Sequence, residues 1–232
     1  MALTFKESPR GENNQPIVNG GEIHLPCVVL VDTSGSMAPA MNELHEGLVQ
    51  LGEAIKEDPQ ALGRVEFCII AFDDDARVEV PFGPAYDYHA PILTCGGMTA
   101  MHKAVDLALE ELEARKDQYK ENKTAYLRPW IFMMTDGAAN DADNGAFGRL
   151  IQSQRDKHCT FFPIAIGDEV DMKQLGSLKL DGTVLKASKD NFKGAFVWLS
   201  NSLSRTSSSN PGQKVTLPNP ADYNVVALTV EA

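Results

Sequence analysis

The chain has 232 residues, 43% hydrophobic and 23% charged, the balance of an ordinary folded protein rather than a disordered segment or a collagen-like fibre. Its length is ample for a sizeable core. Lysine and arginine number 21 against 32 aspartates and glutamates, a formal charge of −11 that repels phosphate backbones and anionic lipid, so neither nucleic acid nor a membrane is an expected partner.

The first two dozen residues read as a polar arm (1–24), with turn chemistry at Asn13-Asn14-Gln15-Pro16 and Asn19-Gly20-Gly21 and no apolar signal-peptide core. Cys27, Val28, Val29, Leu30 and Val31 then form a continuous apolar run, which suits a strand buried on both faces. Met41, Leu44, Leu48, Leu51 and Ile55 recur at helical spacing. Val65 to Phe72 is a second buried strand. Asp73-Asp74-Asp75 turns the chain, with solvated charges, into a hairpin partner carrying Val78 and Val80. After a longer loop, Met101, Val105, Ala108 and Leu112 mark a second helix, and Trp130 to Met134 a third buried strand. A helix from about Ala146 to Lys157 leads to Phe161–Ile166. Pro163, with no backbone donor, predicts a strand end, bulge or outer strand there. Val184 to Ala187 is a short strand, and Phe192, Phe196, Leu199 and Leu203 line a final helix. Ser207 to Gly212 reads as a flexible linker. Val225 to Val230 is β-prone and is expected to add to a sheet edge, in this chain or a neighbour, with Glu231 a conceivable acid ligand in trans.

Strand–helix alternation predicts an α/β fold: a doubly wound, mostly parallel central sheet with one antiparallel edge strand and helices on both faces. The expected divisions are an arm at 1–24, a domain at 25–205, and a linker with a β-prone tail at 206–232. The four cysteines, at 27, 68, 95 and 159, include no C-x-x-C pair. Cys27, Cys68 and Cys159 sit in or beside apolar runs as core thiols, which fits a reducing, cytoplasmic setting rather than a cysteine zinc site.

In such sheets, ligands bind beyond the carboxyl ends of the strands. Those ends carry Asp32-Thr33-Ser34-Gly35-Ser36-Met37 after the first run and Thr135-Asp136-Gly137 after the third, while Gly96-Gly97-Met98-Thr99 precedes the second helix. Asp32, Ser34, Ser36, Thr99 and Asp136 are all oxygen donors, with no histidine or cysteine among them. Such a set selects a hard cation, magnesium first, with manganese or calcium as alternatives. Two carboxylates just balance a 2+ charge and leave a coordination position for an incoming acid. The plainer alternative is that Asp32 and its serines only cap a helix, as Thr99 alone would. His102 either reaches the site's rim or, as the plainer reading, lies on the helix surface; Asp168 either lines the rim or, by default, caps the following helix; and Asn140 to Gly145 reads as a polar loop near the rim. Met37 and Met98 either line an apolar rim or cover the sheet end.

Asp32-x-Ser34-x-Ser36, then Thr99 in a glycine-containing loop, then Asp136-Gly137, resembles the metal-ion-dependent adhesion site of von Willebrand factor A domains over roughly residues 25–205. The resemblance implies the Rossmann-like fold of that family. It implies direct metal contacts from Ser34, Ser36 and Thr99, and roles for Asp32 and Asp136 mainly through water, or directly as the site changes state. The start Val-Asp-Thr-Ser-Gly-Ser-Met is similar to that of the bacterial tellurium-resistance type, which implies a cytoplasmic stress-response setting and a kinase-like or phosphatase-like partner. The function expected on these grounds is non-enzymatic: a bound Mg2+ that captures an aspartate or glutamate of a partner protein. The alternatives are a Mg2+-dependent phosphate hydrolase using Asp32 as nucleophile, and a metal-sensing scaffold. Against the hydrolase, the chain has no G-x-x-x-x-G-K loop, no G-x-G-x-x-G after a strand and no G-x-S-x-G elbow, and the nearest lysine to the Thr99 loop is Lys103.

Overall fold

A computed structural model describes residues 23–210 and 213–230 of the chain. The arm expected at 1–24 lies almost wholly outside them, as does Glu231. β1 (Leu25–Asp32) and β2 (Val65–Phe72) are buried at every position, as suits the largely apolar runs of interior parallel strands, with Asp32 and Glu66 the charged exceptions. With β3 (Ala76–Pro84), β4 (Trp130–Thr135), β5 (Thr160–Ile166), β6 (Thr183–Ala187) and β7 (Val226–Thr229) they form one sheet in the order β3-β2-β1-β4-β5-β6-β7. β2, β1, β4, β5 and β6 are parallel, and β3 returns antiparallel through the Asp73–Asp75 turn, as expected. The tail supplies β7, antiparallel against β6, so the C-terminal run joins this chain's own sheet and gives it a second antiparallel edge.

Helices cover both faces. On one, α1 (Met41–Lys56), α2 (Pro59–Arg64) and α6 (Lys193–Ser207) pack over Cys27, Val29 and Val31. On the other, α3 (Met101–Glu121), α4 (Ala146–Arg155) and α5 (Met172–Ser177) pack over Val28 and Leu30. The twofold period of β1 thus feeds two cores from one strand. α1 buries Leu44, Leu48, Leu51 and Ile55, as its spacing predicts. α2 lay below the reach of periodicity at six residues. It starts because the Asp58 side chain accepts the Gln60 and Ala61 N–H groups and Pro59 stands at its first position.

Pro163 sits inside β5, an interior strand, one residue before its pairing with β6 begins at Ile164–Leu185, so no ladder bond to β6 is lost. The serine run is not a flexible linker as far as Ser209: Ser207 closes α6, and Ser207 and Ser209 are both buried. Beyond it, Trp198 Nε1–H donates to the Pro218 carbonyl at 2.9 Å, and Leu217 and Val225 pack on the core, which straps the tail to the domain. Cys27, Cys68 and Cys159 are buried free thiols, whereas Cys95 is exposed. Among the described residues, no helix is long and apolar enough to cross a membrane.

Candidate metal centre

Because β1 and β4 are adjacent and parallel, with Val31 opposite Met134, their carboxyl ends put Asp32 beside Thr135 and bring Asp136 alongside. Asp32 Oδ1 accepts the Ser34 N–H at 2.8 Å, and Oδ2 accepts the Thr135 hydroxyl at 2.5 Å. Ser34 Oγ and Ser36 Oγ are hydrogen-bonded at 3.1 Å, and Ser36 Oγ donates to Asp136 Oδ1 at 2.6 Å. Asp32, Ser34, Ser36 and Asp136 are therefore one connected group. Thr99 joins it from the side: its Oγ1 faces Gly137, where an added Cβ would lie 3.5 Å away. Four of the five predicted residues are thus linked directly, and Thr99 stands beside them against Gly137. Asp32, Ser34, Thr99 and Asp136 are buried, and Ser36 opens to solvent.

Three supports fix the Thr99 loop. The Gly35 N–H donates to the Gly97 carbonyl (3.2 Å) and the Gly96 N–H to the Thr33 carbonyl (2.9 Å), which zips it to the β1 turn. The Thr99 N–H donates to Asn140 Oδ1 (2.8 Å) while the Asn140 N–H returns a bond to the Thr99 carbonyl (3.2 Å). Asp74 Oδ1 accepts the Met98 N–H at 2.9 Å, so the Asp73–Asp75 turn does more than carry solvated charge. Gly97 has φ +72°, and a Cβ there would lie 2.6 Å from Asp74 Oδ2, so this approach needs glycine.

The start of α3 is capped from a distance. Asp141 accepts the His102 N–H (3.1 Å) and Lys103 N–H (3.0 Å) and holds His102 Nδ1 at 2.9 Å. His102 is thus not a surface side chain; it is mostly buried and stacks on Phe147, with ring centroids 3.9 Å apart. The loop at 140–141 is accordingly the fastener between the two halves of the site. Met37 is buried under the site and Met98 is exposed beside it. Asp168 does not cap α5; it pairs with Lys186 at 2.6 Å, and Asp171 is the cap, accepting the Gln174 N–H.

Sequence reasoning missed Lys189. From the turn after β6 its ammonium reaches Asp136 Oδ2 at 2.6 Å and donates to the Ser36 carbonyl at 3.3 Å. Ser188-Lys189-Asp190 follows a buried strand, so a search of every strand end would have flagged it. Thr135, in Thr135-Asp136-Gly137, carries no role legible in the sequence; its hydroxyl serves as the donor to Asp32 Oδ2. Lys103 is engaged elsewhere, with Asp75 and the Asp74 carbonyl, each at 3.2 Å.

Burial pushes the Asp32 carboxyl above its ordinary value, as does the nearby charge of Asp136; hydrogen bonds from Ser34 and Thr135 oppose them but do not prevail. Asp136 Oδ2 is buried and accepts no well-formed hydrogen bond, so its stabilisation is ionic. These are properties of a centre that gains by taking positive charge. Among the described residues no three of His, Cys, Asp and Glu cluster as a metal site. The donors here are mainly hydroxyls, with two carboxylates, all oxygen. That chemistry fits a hard divalent cation.

A profile of the von Willebrand factor type A domain matches residues 27–196. Among solved structures, the chain is similar to a von Willebrand factor type A protein from Catenulispora acidiphila, with a TM-score of 0.58 at 20% identity over 79% of this chain and 43% of that one. It is also similar to the ArnB paralog VWA2 from Sulfolobus acidocaldarius (TM-score 0.52, 17% identity, 81% of this chain and 46% of that one). A third is proximal thread matrix protein 1 from the mussel byssus with a zinc-occupied MIDAS motif (TM-score 0.55, 14% identity, 82% of this chain and 47% of that one). The chain spans less than half the length of each of these three, and identities this low bear on the fold alone. A comparison with curated proteins gives no match. On the extent of the profile match, the chain belongs to the von Willebrand factor type A domain family.

Proposed function

We propose that this chain is a cytoplasmic protein-interaction module that holds Mg2+ at a metal-ion-dependent adhesion site and uses it to capture an acidic residue of a partner protein. Asp32, Ser34, Ser36, Thr99 and Asp136 would hold the cation. The observation that supports the reading is the hydrogen-bonded group of Asp32, Ser34, Ser36 and Asp136, with Thr99 beside it against Gly137, next to a turn that opens to solvent at Ser36. The zinc-occupied motif of the mussel protein lends support from a protein of similar fold. When bound, the cation supplies a positive centre for a carboxylate of the partner. Ser36 and Met98, both exposed, are the rim that such a partner meets. The absence of nitrogen or sulfur donors in the set favours Mg2+ as its cation. The tellurium-resistance or stress-response setting, and a kinase-like or phosphatase-like partner, rest on the resemblance of the opening motif.

The test is calorimetric titration of Mg2+ and Mn2+ into the wild-type chain and into Ser34→Ala and Thr99→Ala. Both variants should lose at least tenfold in affinity with an unchanged circular dichroism spectrum. Capture of a partner should then fail with the same variants or with chelator. Full binding of metal and partner by the variants sinks the proposal.

One observation favours the hydrolase alternative: Lys189 places an ammonium beside the carboxylates, where a phosphate needs one. Against it, both oxygens of Asp32 already accept hydrogen bonds and the residue is fully buried, a poor setting for a nucleophile that must reach a substrate phosphorus. Turnover of an aryl phosphate with Mg2+, lost in Asp32→Asn, would favour that alternative.

A further inference from the structure

We infer that Lys189 is a tethered cation of this site, filling the charge position in the metal-free chain and leaving it when a divalent ion enters. The inference rests on the metal-binding reading above. Three independent features seat the lysine. Its ammonium stands 2.6 Å from Asp136 Oδ2, a buried carboxylate oxygen with no well-formed hydrogen bond. The same ammonium donates to the Ser36 carbonyl, on the turn that carries two of the predicted donors. Its aliphatic stem lies against Gly167 at the end of β5, where φ is +80° and an added Cβ would stand 3.0 Å from Lys189 Cγ and 3.4 Å from Cδ and Cε. The backbone of a third segment is thus shaped to let this one side chain pass.

The charges define two states. Asp32 and Asp136 with the Lys189 ammonium sum to −1. A divalent cation in place of the ammonium brings the pair of carboxylates to neutrality, whereas a divalent cation with the ammonium still on Asp136 brings two like charges onto one carboxylate. Exchange is the favoured outcome, because like charges at such range repel strongly in a buried site. The released ammonium has somewhere to go. Lys189 lines a cleft of about 600 Å³ beyond β5 and β6, which also holds Asp168, Glu169 and Asp190. Lys186 already pairs with Asp168, which leaves Glu169 and Asp190 to receive it. Metal affinity is therefore the intrinsic affinity scaled by the fraction of chains whose lysine has withdrawn.

The experiment compares the wild-type chain with Lys189→Met, which keeps an unbranched stem for the Gly167 groove, and Lys189→Arg, which keeps the charge. Mn2+ binding is followed by calorimetry and by the paramagnetic resonance of the free ion, and thermal unfolding is recorded with and without metal. Lys189→Met should bind Mn2+ about tenfold more tightly, as removal of a competing state predicts. It should melt below wild type without metal and converge with it at saturation, while Lys189→Arg stays close to wild type throughout. If wild type binds Mn2+ and Lys189→Met binds it equally or more weakly, the inference is overturned and the metal site stands. If neither chain binds while Lys189→Met is less stable, the metal reading itself has failed and the lysine is a fixed ion pair.

Discussion

At the end of the sheet opposite the candidate site, α3 and β2 share a buried charge cluster whose disruption is calculable. Glu66 and Arg115 are almost fully buried, and Arg115 Nε donates to Glu66 Oε2 at 2.7 Å. The Tyr119 hydroxyl donates to the same oxygen, and His24 Nδ1 lies 2.9 Å from Oε1. Arg115 Nη1 donates to Gln118 at 2.8 Å, and the guanidinium lies over the rings of Phe82 and Tyr119. Burial alone would raise the Glu66 carboxyl, but the His24 contact and the Arg115 charge reverse this and hold it at about 2. Arg115→Met removes the principal counter-charge and leaves a carboxylate in the core. Breaking a buried pair from one side costs about 3–5 kcal/mol. For a domain of this size that is a fall in Tm of roughly 6–20 °C.

Urea unfolding at pH 7, followed by tryptophan fluorescence, reads the loss directly. A pH series gives a second signature. The folded Glu66 value lies below its ordinary 4.5, so its stabilisation is complete above that pH and is lost as pH falls toward about 2. The wild type should lose about 3 kcal/mol over this window. Arg115→Met should lose distinctly less, and Glu66→Gln combined with Arg115→Met should recover much of the stability at pH 7, since an uncharged pair needs no counter-ion. A single variant within 1 kcal/mol of wild type at pH 7, or an unchanged acid slope, refutes the reasoning.

Other consequences concern the site and its frame. Asp141→Ala removes the remote cap of α3 and the His102 bond, so it should cost about 2 kcal/mol in urea at pH 7. The Asp141 carboxyl is held below its ordinary value: burial opposes this, but bonds from His102 and Lys103 prevail. Its contribution is therefore present at neutral pH and fades in acid, and the variant's deficit should shrink at pH 3. Gly97→Ala forces a left-handed residue against Asp74, at about 1–2 kcal/mol of backbone strain, and should weaken Mg2+ binding several-fold in calorimetry although Thr99 is intact. Ending the chain after Asn210 removes β7 and the buried Val225 with it; urea midpoints should show a loss of at least about 3 kcal/mol.

The residues that were legible in the sequence are those whose signal is local. β1, β2 and β4 announced themselves as apolar runs because interior parallel strands bury both faces, and α1 and α3 did so through their stripes. Asp32, Ser34, Ser36 and Asp136 were legible as neighbours because short motifs carry them just past the ends of β1 and β4, and Thr99 because it sits in the glycine-containing loop before α3. What escaped depends on distance. Lys189 is one lysine in a loop with no motif, and only the β4-β5-β6 order brings its turn toward Asp136. His102 read as exposed because helical spacing cannot reveal Phe147 and Asp141 arriving from the next loop. α5 was invisible for want of length: at six residues it shows no period. β7 was recognised as a strand, but its partner β6 lies across α6 and a loop that straps back through Trp198.

That long return has a consequence for biosynthesis. β6 ends at Ala187 and its outer neighbour begins at Val226, so a ribosome must add about 40 residues between them. At cellular elongation speeds this is roughly 2–8 s, during which β6 presents a bare row of backbone donors and acceptors on the nascent domain. Chaperone engagement and misassembly between neighbouring polysomal chains should both concentrate in that interval.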